Sequence, residues 1–206
     1  MFDTSLRRAK DRIGEPLAAR LKNVSPNTIS FLAFLVGILT AFLAARGLYL
    51  WALVFWLLSR VFDGLDGLIA RIHCKQSDFG GYFDIILDFV IYAAVPIAIV
   101  VGAPSLDRYL ALTFMLGAFY VNGASWMYLA AILEKRGNQF VGDPAAPSAM
   151  TSIVMPSGLV GATETILAYC AFLIWADQMV LLFSIFGAMV VFTSIQRLIW
   201  AWRKLR

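Results

Sequence analysis

The sequence predicts an all-α integral membrane protein with six transmembrane helices, preceded by an amphipathic helix at the membrane interface. Of its 206 residues, 61% are hydrophobic and 15% are charged, whereas about a quarter of the residues in a soluble domain are charged. The mean hydropathy is +0.78. The apolar residues form runs long enough for the roughly 20-residue helix that crosses a bilayer. These observations exclude an ordinary soluble domain.

The first predicted element, residues 3–22, is basic and amphipathic. Its apolar residues recur near helical spacing, at Leu6, Ile13, Leu17 and Leu21. This pattern is typical of a helix that lies on the membrane surface, and Pro16 is expected to end or kink it. We therefore predict an amphipathic juxtamembrane helix at 1–22, with a disordered basic tail as the alternative, and one membrane domain at 23–206.

Six apolar segments follow. The first lies between Lys22 and Arg46, and Ser25 and Pro26 are typical of a helix start. The others are predicted at about 48–73, 79–102, 109–133, 157–176 and 178–202. A loop at 137–156 is rich in Gly, Pro and Ser and could fold over a site on its side of the membrane.

The distribution of basic residues predicts the orientation. Six spans place both termini on one side, together with most of the basic residues, whereas the other side keeps little more than Arg46 and Arg108. The positive-inside rule makes the basic side cytosolic. We expect a multi-pass protein of the cytoplasmic (inner) membrane with termini and active site in the cytosol. The net charge of +4 is clustered at the termini, which favours membrane lipids over nucleic acid as partners.

The stretch from Asp63 to Asp88 combines acidic residues with glycines between two apolar runs. Two sets of polar and small residues recur there at spacings of three and four: Asp63, Asp66, Gly67, Ala70 and Arg71 on one predicted helix, and Gly80, Asp84 and Asp88 on the next. Each set shares a helix face. The short connection between the helices predicts antiparallel neighbours, so the two carboxylate-bearing faces can meet.

A divalent metal is the expected partner of these carboxylates. Each ionised carboxylate costs roughly 2.5–3.5 kcal/mol inside a membrane, so four that faced lipid would cost on the order of 10 kcal/mol. Arg60 and Arg71 are the nearby arginines, too few for four ion pairs. Hard divalent cations prefer such oxygen ligands, and a pair of metals suits displacement at phosphorus.

The pattern Asp63-x2-Asp66-Gly67-x2-Ala70-Arg71-x8-Gly80-x3-Asp84-x3-Asp88 resembles the signature of the CDP-alcohol phosphotransferases, membrane enzymes of phospholipid synthesis, at every position. The resemblance implies that a CDP-alcohol such as CDP-diacylglycerol places its diphosphate on two Mg²⁺ ions, with Mn²⁺ as a substitute. The resemblance further implies that an acceptor hydroxyl attacks the β-phosphorus, that CMP leaves and that a phosphodiester forms. It also implies a homodimer.

The resemblance assigns roles to individual residues. The metal ligands would be Asp63, Asp66, Asp84 and Asp88, and Asp88 would also be the catalytic base. The CDP group would be bound by Asp66, Gly67, Ala70, Arg71 and Gly80. Gly67 and Gly80 are expected to admit the nucleotide beside the backbone, and Gly81 to allow close helix packing.

The acceptor alcohol is not specified by the sequence. Glycerol 3-phosphate, inositol phosphate, inositol, serine and choline all stay open. Glu164 and Arg197 lie inside predicted helices and are expected to line the pocket, where Arg197 with Lys135 and Arg136 could bind a phosphorylated acceptor. An ion pair of Glu164 with Arg197 or Arg60 is the alternative.

Three other classes of function compete with a transferase. A cation-coupled transporter also needs intramembrane carboxylates, but it does not require the Asp-Gly-x2-Ala-Arg run. A metal-dependent CDP-lipid phosphohydrolase would share the chemistry with water as the acceptor. A purely structural membrane protein is disfavoured by the cost of the aspartates. Cys74 and Cys170 lie far apart and predict no disulfide framework.

Overall fold

The computed structural model describes residues 14–140 and 159–205, with no side-chain detail for 137–140. The described chain is helical and contains no strand. Residues 14–20 form the described part of α1. The remaining helices are α2 (Pro26–Ala45), α3 (Tyr49–Ile72), α4 (Asp78–Gly102), α5 (Leu106–Phe140), α6 (Ala162–Ile174) and α7 (Met179–Leu205), with a 3₁₀ turn at Ala176–Gln178 before α7.

Helices α2 to α7 correspond to the six predicted apolar segments. By length and composition, four stretches can cross a membrane: Pro26–Ala45, Asp78–Gly102, Leu106–Arg136 and Ala176–Leu205. Helix α3 has 24 residues but carries the charged motif, and α6 has only 13 residues, about 20 Å of helix. The all-helical membrane architecture is confirmed, whereas the count of six spans stays a prediction.

Two predicted boundaries differ from the structure. Pro16 does not end α1, which stays helical to residue 20, and a kink at Pro16 stays a prediction. Helix α5 continues to Phe140, although a loop was expected from residue 137. The prolines expected to break the helix begin only at Pro144, so the chain remains free to continue its turns up to 140. The rest of that loop and residues 1–13 lie outside the described residues.

Helix α2 is the centre of one half of the fold, since it packs along both α3 and α4. The approach to α4 is close, because a Cβ added at Gly37 would lie 2.6 Å from Cδ1 of Ile91. In the other half α5 packs along α7, and α6 contacts α3. Helices α3 and α4 are joined by residues 73–77 and are bridged by side chains rather than by close backbone packing. This arrangement leaves room between them.

Two apolar clusters hold the helices together. The larger one fills the middle of the bundle and contains the most deeply buried aromatic side chains: Trp56, Tyr169, Phe172 and Phe183. The smaller one lies where α1 meets α3, and consists of Ala18, Ile29, Leu65, Leu68 and Ile69. Because Leu65, Leu68 and Ile69 are interspersed with the motif residues of α3, the smaller cluster fixes the back of the helix that carries the site.

Candidate active site

A pocket of about 210 Å³ opens where α2 and α4 begin and α3 ends. Its walls come from α2, the last turns of α3, the connection after it and the first turns of α4. The lining residues are Pro26, Asn27, Ser30, Asp66, Gly67, Ala70, Arg71, Lys75, Gln76, Ser77, Gly80, Gly81 and Asp84. All five residues predicted to bind the CDP group therefore line one pocket, together with one predicted metal ligand from α4.

Two helices point their amino termini at this pocket. Helix α2 begins at Pro26 and α4 begins at Asp78, where Ser77 caps the helix by accepting the Gly80 N–H at 3.1 Å. Helix amino termini carry free N–H groups and a partial positive charge, which favour anions. Together with Arg71, which also lines the pocket, they make its mouth suited to a phosphate-bearing ligand.

Asp66 is the most buried of the four motif aspartates, with 4% of its surface exposed. The hydroxyl of Ser30 on α2 donates to its Oδ2 at 2.5 Å. The backbone N–H of Gly67 donates to its Oδ1. Ser30 thus orients a predicted metal ligand, a contact that sequence reasoning did not anticipate because it joins two helices.

Asp63 and Asp88 lie beyond the residues that line the pocket and face Arg60. Nη1 of Arg60 donates to Oδ1 of Asp88 at 2.8 Å and lies 3.5 Å from Oδ1 of Asp63. Asp84, which lines the pocket, is close enough to Asp66 and Asp88 to interact electrostatically with both carboxylates. The four aspartates therefore form one group of charges across α3 and α4.

The donor set fits a divalent cation in its chemistry. Four clustered carboxylates supply hard oxygen ligands, and a partly buried cluster of like charges is stabilised by cations that balance it. The side chains do not already form a coordination shell: no group of three or more His, Cys, Asp or Glu in 14–140 and 159–205 is placed to hold a metal. In the described arrangement Asp88 is turned toward Arg60 and Asp66 toward Ser30.

The three glycines of the pocket differ in what surrounds them. A Cβ at Gly67 would lie 3.3 Å from Nη1 of Arg71, and one at Gly80 would lie 3.0 Å from Oδ1 of Asn27 and from Oγ of Ser77. A Cβ at Gly81 would meet no atom of the described residues within 4 Å beyond its own helix backbone. The predicted packing role of Gly81 is therefore wrong, since this glycine faces the open pocket.

Hydrogen bonds with residues before α2 hold the chain at the carboxyl-terminal end of α3. A ring nitrogen of His73 lies 2.9 Å from the carbonyl oxygen of Ala18. Nζ of Lys75 donates to the carbonyl oxygens of Lys22 and Val24, at 2.5 and 3.1 Å. The described part of α1 thus contacts the motif helix as well as exposing Leu17. Its predicted role as an interfacial amphipathic helix stays a prediction.

The four residues predicted for the acceptor lie outside the lining of this pocket. Glu164 is exposed and accepts a hydrogen bond from the backbone N–H of Gly161 at 3.0 Å. This contact caps the amino terminus of α6. The alternative ion pair with Arg197 or Arg60 is likewise not among the contacts of the described chain. Lys135 and Arg136 are exposed near the end of α5, where Nη2 of Arg136 donates to the carbonyl of Leu205.

Arg197 is buried and binds Asn122, a polar residue deep in α5 to which the sequence assigned no partner. Its Nη1 donates to the carbonyl oxygen of Asn122 at 3.0 Å and to Oδ1 of the same residue at 2.8 Å. Its Nε has no hydrogen-bond partner among the described residues. Ser30 and Asn122 are polar residues next to or within apolar runs, but the residues that bind them lie on other helices.

The chain is similar to known proteins in sequence and in fold. A family model described as CDP-alcohol phosphatidyltransferase matches residues 23–196. Inner membrane protein YnjF of Escherichia coli is 35% identical over 84% of this chain and 82% of its own length. A bifunctional IPC transferase and DIPP synthase of Thermococcus kodakarensis is 39% identical over 40% of this chain and 18% of its own length.

The structural comparison shows a shared fold. The crystal structure of Mycobacterium tuberculosis phosphatidylinositol phosphate synthase with CDP-DAG bound superposes with a TM-score of 0.66. The alignment covers 93% of this chain and 94% of that chain, at 17% sequence identity.

Proposed function

Because the chain belongs to the CDP-alcohol phosphatidyltransferase family and is an enzyme of that class, we propose that it transfers a phosphatidyl group from CDP-diacylglycerol, or an equivalent group from another CDP-alcohol, to an alcohol hydroxyl with release of CMP. One observation carries the proposal. The predicted CDP-binding residues of α3 and α4 line a single pocket at the amino termini of α2 and α4.

The diphosphate of the donor is expected at the mouth of this pocket. Arg71 lines it, and the guanidinium fork matches the geometry of phosphate oxygens. The free N–H groups at the start of α4 add donors on the opposite wall. Gly80 and Gly81 place no side chain on that wall, so the backbone can approach the ligand at these two positions. A nucleotide diphosphate that bears a lipid is the anion this arrangement suits.

Asp63, Asp66, Asp84 and Asp88 are the residues that would hold divalent cations, which we propose to be two Mg²⁺ ions. When bound, such ions neutralise charge on the attacking and leaving oxygens of a displacement at phosphorus. The chain itself supplies the orientation of the carboxylates: Ser30 fixes Asp66 at 2.5 Å, and Arg60 fixes Asp88 at 2.8 Å. Asp88 is proposed as the base that takes the acceptor's proton.

We propose a phosphorylated polyol, such as glycerol 3-phosphate or inositol phosphate, as the acceptor. Arg197 is buried with an unused Nε–H among the described residues, and Lys135 and Arg136 add positive charge near the ends of α5 and α7. The structurally similar mycobacterial protein is named a phosphatidylinositol phosphate synthase, which agrees with this class of acceptor. Glu164 would have to leave its contact with Gly161 to take part.

We also propose a membrane topology and an oligomeric state for the protein. YnjF is named an inner membrane protein, and four stretches of this chain suit membrane crossing. We propose six spans in the cytoplasmic membrane, with termini and site in the cytosol, and a homodimer as the working assembly. Membership of the enzyme family disfavours the transporter alternative. The phosphohydrolase alternative is distinguished from a transferase by measuring CMP release with and without an acceptor alcohol.

The direct experiment is an acceptor screen. Purified protein is incubated with CDP-diacylglycerol, Mg²⁺ and, in separate reactions, each candidate alcohol, and both CMP and the lipid product are quantified. We expect CMP and a new phosphodiester in equal amounts with one or a few alcohols, and little of either without an acceptor. CMP release of the same size in the absence of any alcohol would instead identify a phosphohydrolase.

A further inference from the structure

Arg60 bridges two of the motif carboxylates although it is not part of the motif. A single nitrogen, Nη1, lies 2.8 Å from Oδ1 of Asp88 on α4 and 3.5 Å from Oδ1 of Asp63 on α3. The side chain is 6% exposed. A buried cation therefore joins the two helices at the place where two predicted metal ligands meet.

The rest of the arginine side chain is fixed by its surroundings. Its Cζ lies 4.9 Å from the ring centroid of Trp56 and 5.4 Å from that of Tyr92, distances at which a cation is attracted to an aromatic face. Nη2 donates to Oγ of Ser59 at 3.2 Å, and Ser59 in turn donates to the carbonyl of Ala33 at 2.8 Å. These contacts hold the positive charge against the carboxylates.

The position of Arg60 beside Asp63 and Asp88 affects how strongly these carboxylates can bind a divalent cation. In the absence of a divalent cation, carboxylates brought together at low exposure repel one another, and a buried charge without a partner is strongly destabilising. Arg60 offsets part of that negative charge. When a divalent cation binds the same carboxylates, the arginine becomes a like charge a few ångströms away and opposes it.

We propose that Arg60 is an internal counter-ion of the site. It holds Asp63 and Asp88 together in the cation-free protein, orients Asp88, and competes with divalent cations for these two carboxylates. It is a positioning residue, because it acts through the aspartates. This inference rests on the proposed function in one respect, namely that the aspartates hold divalent cations.

The test compares the wild type, Arg60→Met and a matched control, Arg108→Met. Arg108 is less buried than Arg60, and its Nη1 donates to the carbonyl oxygen of Ala103 at 2.7 Å instead of to a carboxylate. The melting temperature is measured in detergent with chelator and with excess Mg²⁺. The dissociation constant for Mn²⁺ is measured by electron paramagnetic resonance without substrate.

For Arg60→Met we expect a large fall in melting temperature with chelator and a much smaller fall with Mg²⁺. By linkage, stronger stabilisation by the ion means tighter binding, and loss of the nearby positive charge should tighten Mn²⁺ binding by about 10-fold. Arg108→Met should lose the same stability in both conditions and bind Mn²⁺ as the wild type does.

Equal destabilisation of Arg60→Met in both conditions, or an unchanged or weaker affinity for Mn²⁺, would overturn the proposal and leave Arg60 a packing residue. If Arg60→Met does not fold with chelator or with Mg²⁺, the double variant Arg60→Met/Asp88→Asn is used to test the proposal instead. Removing both charges should restore folded protein, and failure to do so would also overturn the proposal.

A separate variant distinguishes this inference from the proposed function. Asp84→Asn removes a predicted ligand that has no ion pair with Arg60 in the structure. If the wild type binds no Mn²⁺, or if Asp84→Asn binds it as tightly as the wild type, the metal site itself is wrong. If Asp84→Asn weakens binding and Arg60→Met fails to tighten it, the inference about Arg60 alone is wrong.

Discussion

At the scale of single residues, the four motif aspartates fall into two pairs with different surroundings. Asp66 and Asp84 line the pocket, and Asp66 is held by Ser30 from another helix. Asp63 and Asp88 face Arg60 and are not among the residues that line the pocket. Four residues of one type in one motif are thus not equivalent, and replacing them should have different effects.

We predict that Asp88→Asn retains measurable affinity for metal and for CDP-lipid while kcat falls by at least about 10²-fold, because the amide keeps one ligand oxygen but cannot take the acceptor's proton at neutral pH. Metal affinity, nucleotide-lipid affinity and turnover are measured on the same preparation. Asp84→Asn is the matched comparison and should lose metal affinity and rate together. A collapse of affinity in Asp88→Asn that parallels its rate would show that Asp88 is only a ligand.

At the scale of the helices, the site exists because α3 and α4 pack on α2 rather than closely on each other. The amino termini of α2 and α4 then meet the carboxyl-terminal turns of α3 around an open space. The wall of the pocket that the first turns of α4 form contains two small residues, Gly80 and Gly81. Gly80 lies against Asn27 and Ser77, whereas Gly81 faces the pocket without neighbours in the described chain.

We predict opposite effects of alanine at these two neighbouring glycines on the melting temperature in detergent. Gly80→Ala would press on Asn27 and on the Ser77 cap at 3.0 Å and should lower it. Gly81→Ala meets open space and should raise it slightly, because alanine is the better helix former by about 1 kcal/mol in a soluble helix. The same loss of stability in both variants would contradict the described packing of α4 on α2.

At the scale of the whole molecule, the architecture follows largely from the sequence, and the site follows in part. Apolar runs and their length predict α2 to α7, and the spacing of the aspartates predicts that α3 and α4 contribute to one site. Ser30 and Arg60 were not predicted as site residues, because spacing within one helix says nothing about which other helix packs on it. The packing of α5 on α7, which places the proposed acceptor residues Lys135, Arg136 and Arg197, could not be predicted for the same reason.

The orientation in the membrane is tested by labelling single cysteines. In a background with Cys74→Ser and Cys170→Ser, a cysteine at position 75 or 136 should react with an impermeant maleimide only from the cytosol. One at position 106, where Leu106 is 74% exposed at the start of α5, should react from outside. The reverse pattern would place the pocket on the wrong side for a cytosolic CDP-lipid.

The central claim is that the carboxylate pocket directs an alcohol to the β-phosphorus of a CDP-alcohol in a divalent cation-dependent transfer. The most direct measurement follows CDP-diacylglycerol labelled with ³²P at the β-phosphorus, incubated with the accepted alcohol in Mg²⁺ or in excess chelator. We expect the label in the new lipid phosphodiester, unlabelled CMP, and no transfer in chelator until Mg²⁺ or Mn²⁺ is restored. Label recovered in the nucleotide product, or full transfer in excess chelator, would contradict the account.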